Sequence, residues 1–81
     1  MDLTKNQVLF LIEIAKYNGK TAMSKLGKKI WNTAVSIYGN MNLLRDGGYI
    51  TISRRKNTIV AELTRKGQIA VTSYFNVAKS L

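Results

Sequence analysis

Hydrogen bonding to an outside polymer, not bond making, is the chemistry the side chains of this 81-residue chain are equipped for. Ser36 and Asn40 lie one helical turn apart, with Gly39 beside them. Serine both donates and accepts, and an asparagine amide matches the adjacent donor and acceptor on the edge of adenine. Gly39 either lets a backbone approach a surface closely or marks a tight contact with another helix. In a helix interior a glycine costs roughly 1 kcal/mol relative to Ala. Asn32, Thr33 and Val35 extend the same uncharged set. Further on, Arg54-Arg55-Lys56 is a run of three cations suited to phosphate.

The composition narrows the classes of function. Thirteen Lys and Arg against four Asp and Glu leave a net charge of +9, with a pI near 10.2, which favours polyanionic partners. Cys and His are both absent, which excludes disulfides, thiolate zinc sites, thiol nucleophiles and a histidine base. The acids Asp2, Glu13, Asp46 and Glu62 are scattered. No catalytic residue, metal site or cofactor is expected, and the chain does not read as an enzyme. The apolar run Val8 to Ile12 ends at Glu13, too short for a membrane span. The start MDLTKNQ lacks the pattern of a signal peptide, so a cytoplasmic, nucleoid-associated protein is expected.

The length predicts a single domain over residues 1–81. Thr4 and Gln7 have capping-box spacing ahead of a helix from about Lys5 to Tyr17, ended by Asn18-Gly19. That helix carries two apolar stripes, Val8, Leu11, Ile12 and Ala15, and Phe10, Ile14 and Tyr17. One stripe suffices for a surface helix, so the second needs cover from the last helix or from a partner chain. Thr21 is the candidate N-cap of a second helix, Ala22 to Ile30, with Met23, Leu26 and Ile30 inward. Trp31-Asn32 forms the turn, with Trp31 read as core, not as a base-stacking residue. A third helix follows from about Thr33 to Asp46, with Ala34, Ile37, Met41 and Leu44 inward, and Gly47-Gly48 ends it.

The period then changes to two. Tyr49 to Ser53 and Thr58 to Leu63 are predicted as a hairpin with Arg54 to Asn57 as its turn. Thr64 caps a last helix, Arg65 to about Ser80. A helix that enters a major groove about 12 Å wide needs small or polar side chains outward and apolar ones inward. The third helix has both. Base contacts are therefore assigned to Asn32, Thr33, Val35, Ser36, Gly39 and Asn40. Phosphate contacts fall to Lys20, Thr21, Lys25, Lys28 and Lys29, and to Arg54, Arg55 and Lys56 at the hairpin tip, on the backbone or in a minor groove. Phe10, Ile14, Tyr17, Val71, Tyr74, Phe75 and Ala78 are assigned to a dimer interface.

The segment Leu26 to Ile50 resembles the helix-turn-helix and strand entry of winged-helix transcription regulators of the MarR, ArsR and PadR types. The resemblance rests on Leu26-Gly27, Ile37, Leu44 and Gly48-Tyr49-Ile50, with Leu63-Thr64-Arg65-Lys66-Gly67 like the turn from wing to last helix. It covers nearly the whole chain. It implies an α+β, mainly α fold: a winged helix-turn-helix of three helices, a two-stranded β-hairpin wing and a C-terminal helix. It also implies a homodimer on double-stranded DNA, with the third helix in the major groove. The chain departs from the pattern at Asn32, and it has no Arg or Lys in the third helix before Arg45, so the common guanine contact is unfilled. The expected function is a transcriptional regulator, a homodimeric repressor. The alternative is an architectural DNA-binding protein of low specificity, separable by the ratio of specific to non-specific affinity.

Overall fold

The computed structural model describes residues 2–17, 20–22 and 28–80, the side chains of 20–22 and 76–80 excepted. Helix α1 spans Lys5–Lys16. Its start is closed by the expected capping box: Thr4 Oγ1 accepts from the Gln7 N–H at 3.2 Å, and Gln7 Oε1 accepts from the Thr4 N–H at 2.9 Å. Phe10, Leu11 and Ile14 on this helix are fully buried.

Strand β1 is Lys20–Ala22, β2 is Ile50–Arg55 and β3 is Thr58–Leu63. They form an antiparallel sheet in the order β1-β3-β2. The strand at Lys20–Ala22 corrects the expected helix start at Thr21 and Ala22. The pairing sets Lys20 opposite Glu62 and Ala22 opposite Val60, so the outer edge of β3 gains a partner. That partner comes from some forty residues away, a distance at which local propensity is silent. Residues 28–30 are helical, which agrees with the end of the expected second helix, while Met23, Lys25, Leu26 and Gly27 lie outside the described residues.

Helix α2 is Ala34–Asp46, capped by Thr33, whose Oγ1 accepts from the Ser36 N–H at 3.1 Å. Ile37, Met41 and Leu44 are buried on its inner side, while Ala34, expected there, is exposed. Trp31 is buried as expected, its ring centroid 5.2 Å from that of Phe10. Ile50, Ala61 and Leu63 close the core from the sheet.

Helix α3 is Arg65–Ser80 and packs along α1. Phe10, Ile14 and Val71, assigned to a seam between copies, are buried within this one chain. Phe10 and Ile14 of the second apolar stripe of α1 are thus covered from inside the chain, with Trp31 against Phe10 and α3 packed along α1, which corrects the assignment of these two residues and of Val71. Tyr17, Tyr74 and Phe75 are exposed, and the side chain of Ala78 lies outside the described residues.

The end of α2 is fixed to the start of α3. Gly48 has φ +83°, and the Gly48 and Tyr49 amides donate to Arg45 O and Leu44 O at 2.9 Å, a Schellman closure. Thr64 Oγ1 donates to Gly48 O at 2.6 Å, the Thr64 amide to Tyr49 O at 3.1 Å, and Lys66 Nζ to Gly47 O at 2.7 Å. Lys66 Nζ also lies 4.5 Å from the centre of the Tyr49 ring, a cation–π contact. Gly67 is buried here, and a Cβ on it would run into the Tyr49 carbonyl oxygen. Gly67→Ala is therefore expected to lower stability by about 2 kcal/mol in denaturant unfolding, although Ala is the better helix former by about 1 kcal/mol. Unchanged or raised stability would contradict the close approach of α3 to Tyr49.

Candidate nucleic-acid interface

Burial of Ile37, Met41 and Leu44 turns the opposite side of α2 to solvent. Asn32, Thr33, Val35, Ser36, Gly39 and Asn42 are exposed there, Val35 at 83%. An apolar side chain left so open loses hydration-driven stability, yet it suits the methyl group of thymine. Nothing lies within 4 Å of a Cβ built on Gly39. Among the described residues no contact requires that glycine.

The two hydroxyls near the helix start are partly engaged. Thr33 Oγ1 donates to Ser36 Oγ at 3.0 Å while capping the Ser36 amide, so Ser36 keeps its own proton to donate. Asn40 differs from the expectation. Its Oδ1 accepts from Gln7 Nε2 at 3.1 Å, and its Nδ2 donates to Ser36 O at 2.8 Å. Both ends of the amide are used inside the chain, so Asn40 ties α2 to α1 instead of offering a free pair to adenine. Gln7 is the buried polar residue that holds it, with both of its own amide atoms satisfied.

Lys28 and Lys29 are exposed just before Trp31. Lys20 and Thr21 fall in β1, not at a helix N-terminus, and Lys25 is outside the described residues. Arg54 and Arg55 belong to β2, which shortens the expected turn to Lys56-Asn57, with Lys56 at φ 53°. Arg54 pairs with Ile59 and Arg55 with Thr58, so the two arginines project from opposite faces of the hairpin. Arg54, Lys56, Asn57 and Ile59 face Tyr38 of α2 across an open cleft of about 310 Å³. Tyr38 escaped sequence reasoning, its one signal being its place on the helix beside the inward stripe; Asn42 was legible on the outer side of the helix but was assigned no contact.

Among the described residues the salt bridges are Lys16–Glu13 at 2.9 Å and Arg45–Asp46 at 3.3 Å, so Lys28, Arg54, Arg55 and Lys56 form none there, while the charge of Lys29 acts on Glu13. The hydrogen bond from Lys16 lowers the Glu13 pKa and raises that of Lys16, on the surface of α1. No group of three metal-ligating side chains occurs among the described residues, and no helix there is long and apolar enough to cross a membrane.

Asn40→Ala strands the buried Gln7 amide and is expected to cost about 1–2 kcal/mol of stability in denaturant unfolding. Ser36→Ala, at the exposed neighbour, is expected to stay within about 0.5 kcal/mol of the parent. Equal small effects from both would show that the Gln7–Asn40 link does not hold the helix.

No protein-family model matches the chain, and no curated protein matches it in sequence. Its fold recurs among solved structures. A MepR-like protein complexed with pseudoligands has a TM-score of 0.81 at 24% identity, over 96% of this chain and 60% of that one. A probable transcriptional regulator from Pseudomonas aeruginosa has a TM-score of 0.80 at 21% identity, over the same shares. ZitR of Lactococcus lactis, a zinc-responsive MarR family member, has a TM-score of 0.78 at 16% identity, over 99% of this chain and 56% of that one. The chain spans no more than 60% of the length of these three proteins. Its fold is the winged helix of the MarR-type regulators.

Proposed function

We propose that this chain binds double-stranded DNA as a transcriptional regulator, a homodimeric repressor that acts by occluding its site. In this reading α2 enters the major groove and the 54–57 wing tip lies on the backbone or in the minor groove. The observation that carries it is the outer side of α2: Val35, Ser36, Gly39 and Asn42 lie open on a helix whose inner side is locked in the core. A net charge of +9, with Arg54 and Lys56 near Tyr38 of that helix and in no salt bridge among the described residues, supplies attraction to phosphate. The likeness to regulators of the same fold supports it. Exposed Ile69, Tyr74 and Phe75 on α3 offer apolar surface for a second copy. Asn32 and Thr33 lie at the start of the groove-facing side, and Lys28 and Lys29 are exposed just before it in the chain. Lacking an arginine or lysine before Arg45, the helix suits A/T-rich base pairs.

Selection of bound duplexes from a random pool, followed by footprinting, tests this. Two protected half-sites one helical turn apart are expected. Equal binding to every sequence would mark an architectural protein of low specificity instead. Gly39→Ala separates fold from function at one atom. With open space around it, the added methyl is expected to raise stability by up to about 1 kcal/mol. The same methyl faces the groove and is expected to weaken binding to the selected duplex, read by fluorescence anisotropy. Stability and affinity rising together would place the duplex elsewhere.

A further inference from the structure

Val35, Ser36 and Gly39 form one small constellation on the open side of α2. Gly39 lies a turn beyond the other two and, at about 100° per residue, falls between them around the helix axis. Val35 is almost fully exposed, so its methyl groups are uncovered. Ser36 is held in one orientation. Its amide donates to Thr33 Oγ1 at 3.1 Å, and its Oγ accepts from the Thr33 hydroxyl at 3.0 Å. One lone pair of that oxygen is thereby occupied, and the Ser36 proton is directed away from Thr33. Accepting a hydrogen bond also makes a hydroxyl the stronger donor. Asn40, one turn on from Ser36, adds no second free polar group, because both ends of its amide are engaged by Gln7 and Ser36 O. The constellation therefore presents a methyl surface beside a hydrogen-bond donor, with no side chain between them.

Resting on the duplex-binding reading above, that pair of groups discriminates among the four bases. Adenine sets an acceptor beside an amino donor, and guanine sets two acceptors side by side; neither carries a methyl group. Cytosine turns an amino donor to the groove, which would meet the Ser36 donor. Thymine alone places a methyl group next to an acceptor, on adjacent ring carbons. We infer that Val35 and Ser36 together read one thymine: Val35 covers its C5-methyl group and Ser36 donates to its O4. Gly39 lets the base edge come up between the two side chains, since nothing projects from the helix there. The methyl group is then part of what is recognised, and binding responds to the presence of one methyl on the DNA. Methylated cytosine does not stand in for thymine, because its amino group opposes the Ser36 proton that Thr33 has set outward.

The test uses the selected duplex with each thymine replaced in turn by uracil, which lacks only the methyl group, or by 4-thiothymine, whose sulfur is a weak acceptor. Affinities are read by fluorescence anisotropy for the parent, Val35→Ala and Ser36→Ala, with circular dichroism as the check of fold. At one thymine per half-site, within the stretch protected by α2, uracil is expected to weaken the parent about fourfold and Val35→Ala by less than about twofold. At the same thymine, 4-thiothymine is expected to weaken the parent and Val35→Ala about fivefold, and Ser36→Ala by less than about twofold. A 5-methylcytosine–guanine pair there is expected to weaken the parent about tenfold. If the footprint is intact but no thymine under α2 responds to both analogues, or the variants respond as the parent does, Val35 and Ser36 do not share a thymine and the duplex-binding reading stands. Methylated cytosine bound as tightly as thymine would likewise overturn the donor assignment. If the parent itself leaves no footprint on any duplex, the duplex-binding reading falls and the thymine contact with it.

Discussion

The rotation of α2 about its own axis is the constraint on which the surface depends. Ile37, Met41 and Leu44, spaced by four and three residues, are buried on one side. Each contributes roughly 1.5–3 kcal/mol when removed from water, so turning the helix to bury Val35 and Gly39 instead is strongly unfavourable. The Gln7–Asn40 hydrogen bond adds a directional term on the flank toward α1. Apolar burial alone tolerates small rotations; a satisfied buried amide does not, because a broken partner leaves a desolvated polar group behind.

The second constraint is the junction between α2, the sheet and α3. Gly48 reverses the chain, Thr64 and Lys66 hold the reversed carbonyls, and Gly67 lets α3 come up against Tyr49. The wing is thereby fixed relative to α2 at its base, while its tip carries cations that form no salt bridge among the described residues. Position and charge are supplied by different residues: the junction is neutral or internally bonded, and the free charges sit where they cost the core nothing. The acidic groups that do form ion pairs, Glu13 and Asp46, pair with neighbours one and three residues away and do not reach the cations of the wing.

Much of the fold was legible in the sequence. The capping box at Thr4 and Gln7, the cap at Thr33, the Gly47-Gly48 stop and the switch to alternation at Tyr49 are local signals, and each marks an element boundary within a residue or two. Strand β1 was not legible, because its reason is an edge of β3 far along the chain. The placement of Phe10, Ile14 and Val71 was also ambiguous, since an apolar stripe shows that cover is needed without naming its source. At the candidate site, the open character of Val35, Ser36 and Gly39 followed from periodicity. Asn40 did not, because its partner Gln7 is thirty-three residues away and a polar residue on a helix flank looks the same whether it faces water or a buried amide. Tyr38 was overlooked for a related reason: its place at the cleft depends on the wing folding back beside it.

The most direct measurement is amide chemical-shift mapping of the isotope-labelled chain as a selected duplex is added. The account predicts the largest changes at Val35, Ser36, Gly39 and Asn42, with a second group at Arg54 to Asn57, and little change at the buried residues of α1 and β3. Changes confined to α1 or α3, with α2 and the wing unmoved, would contradict it.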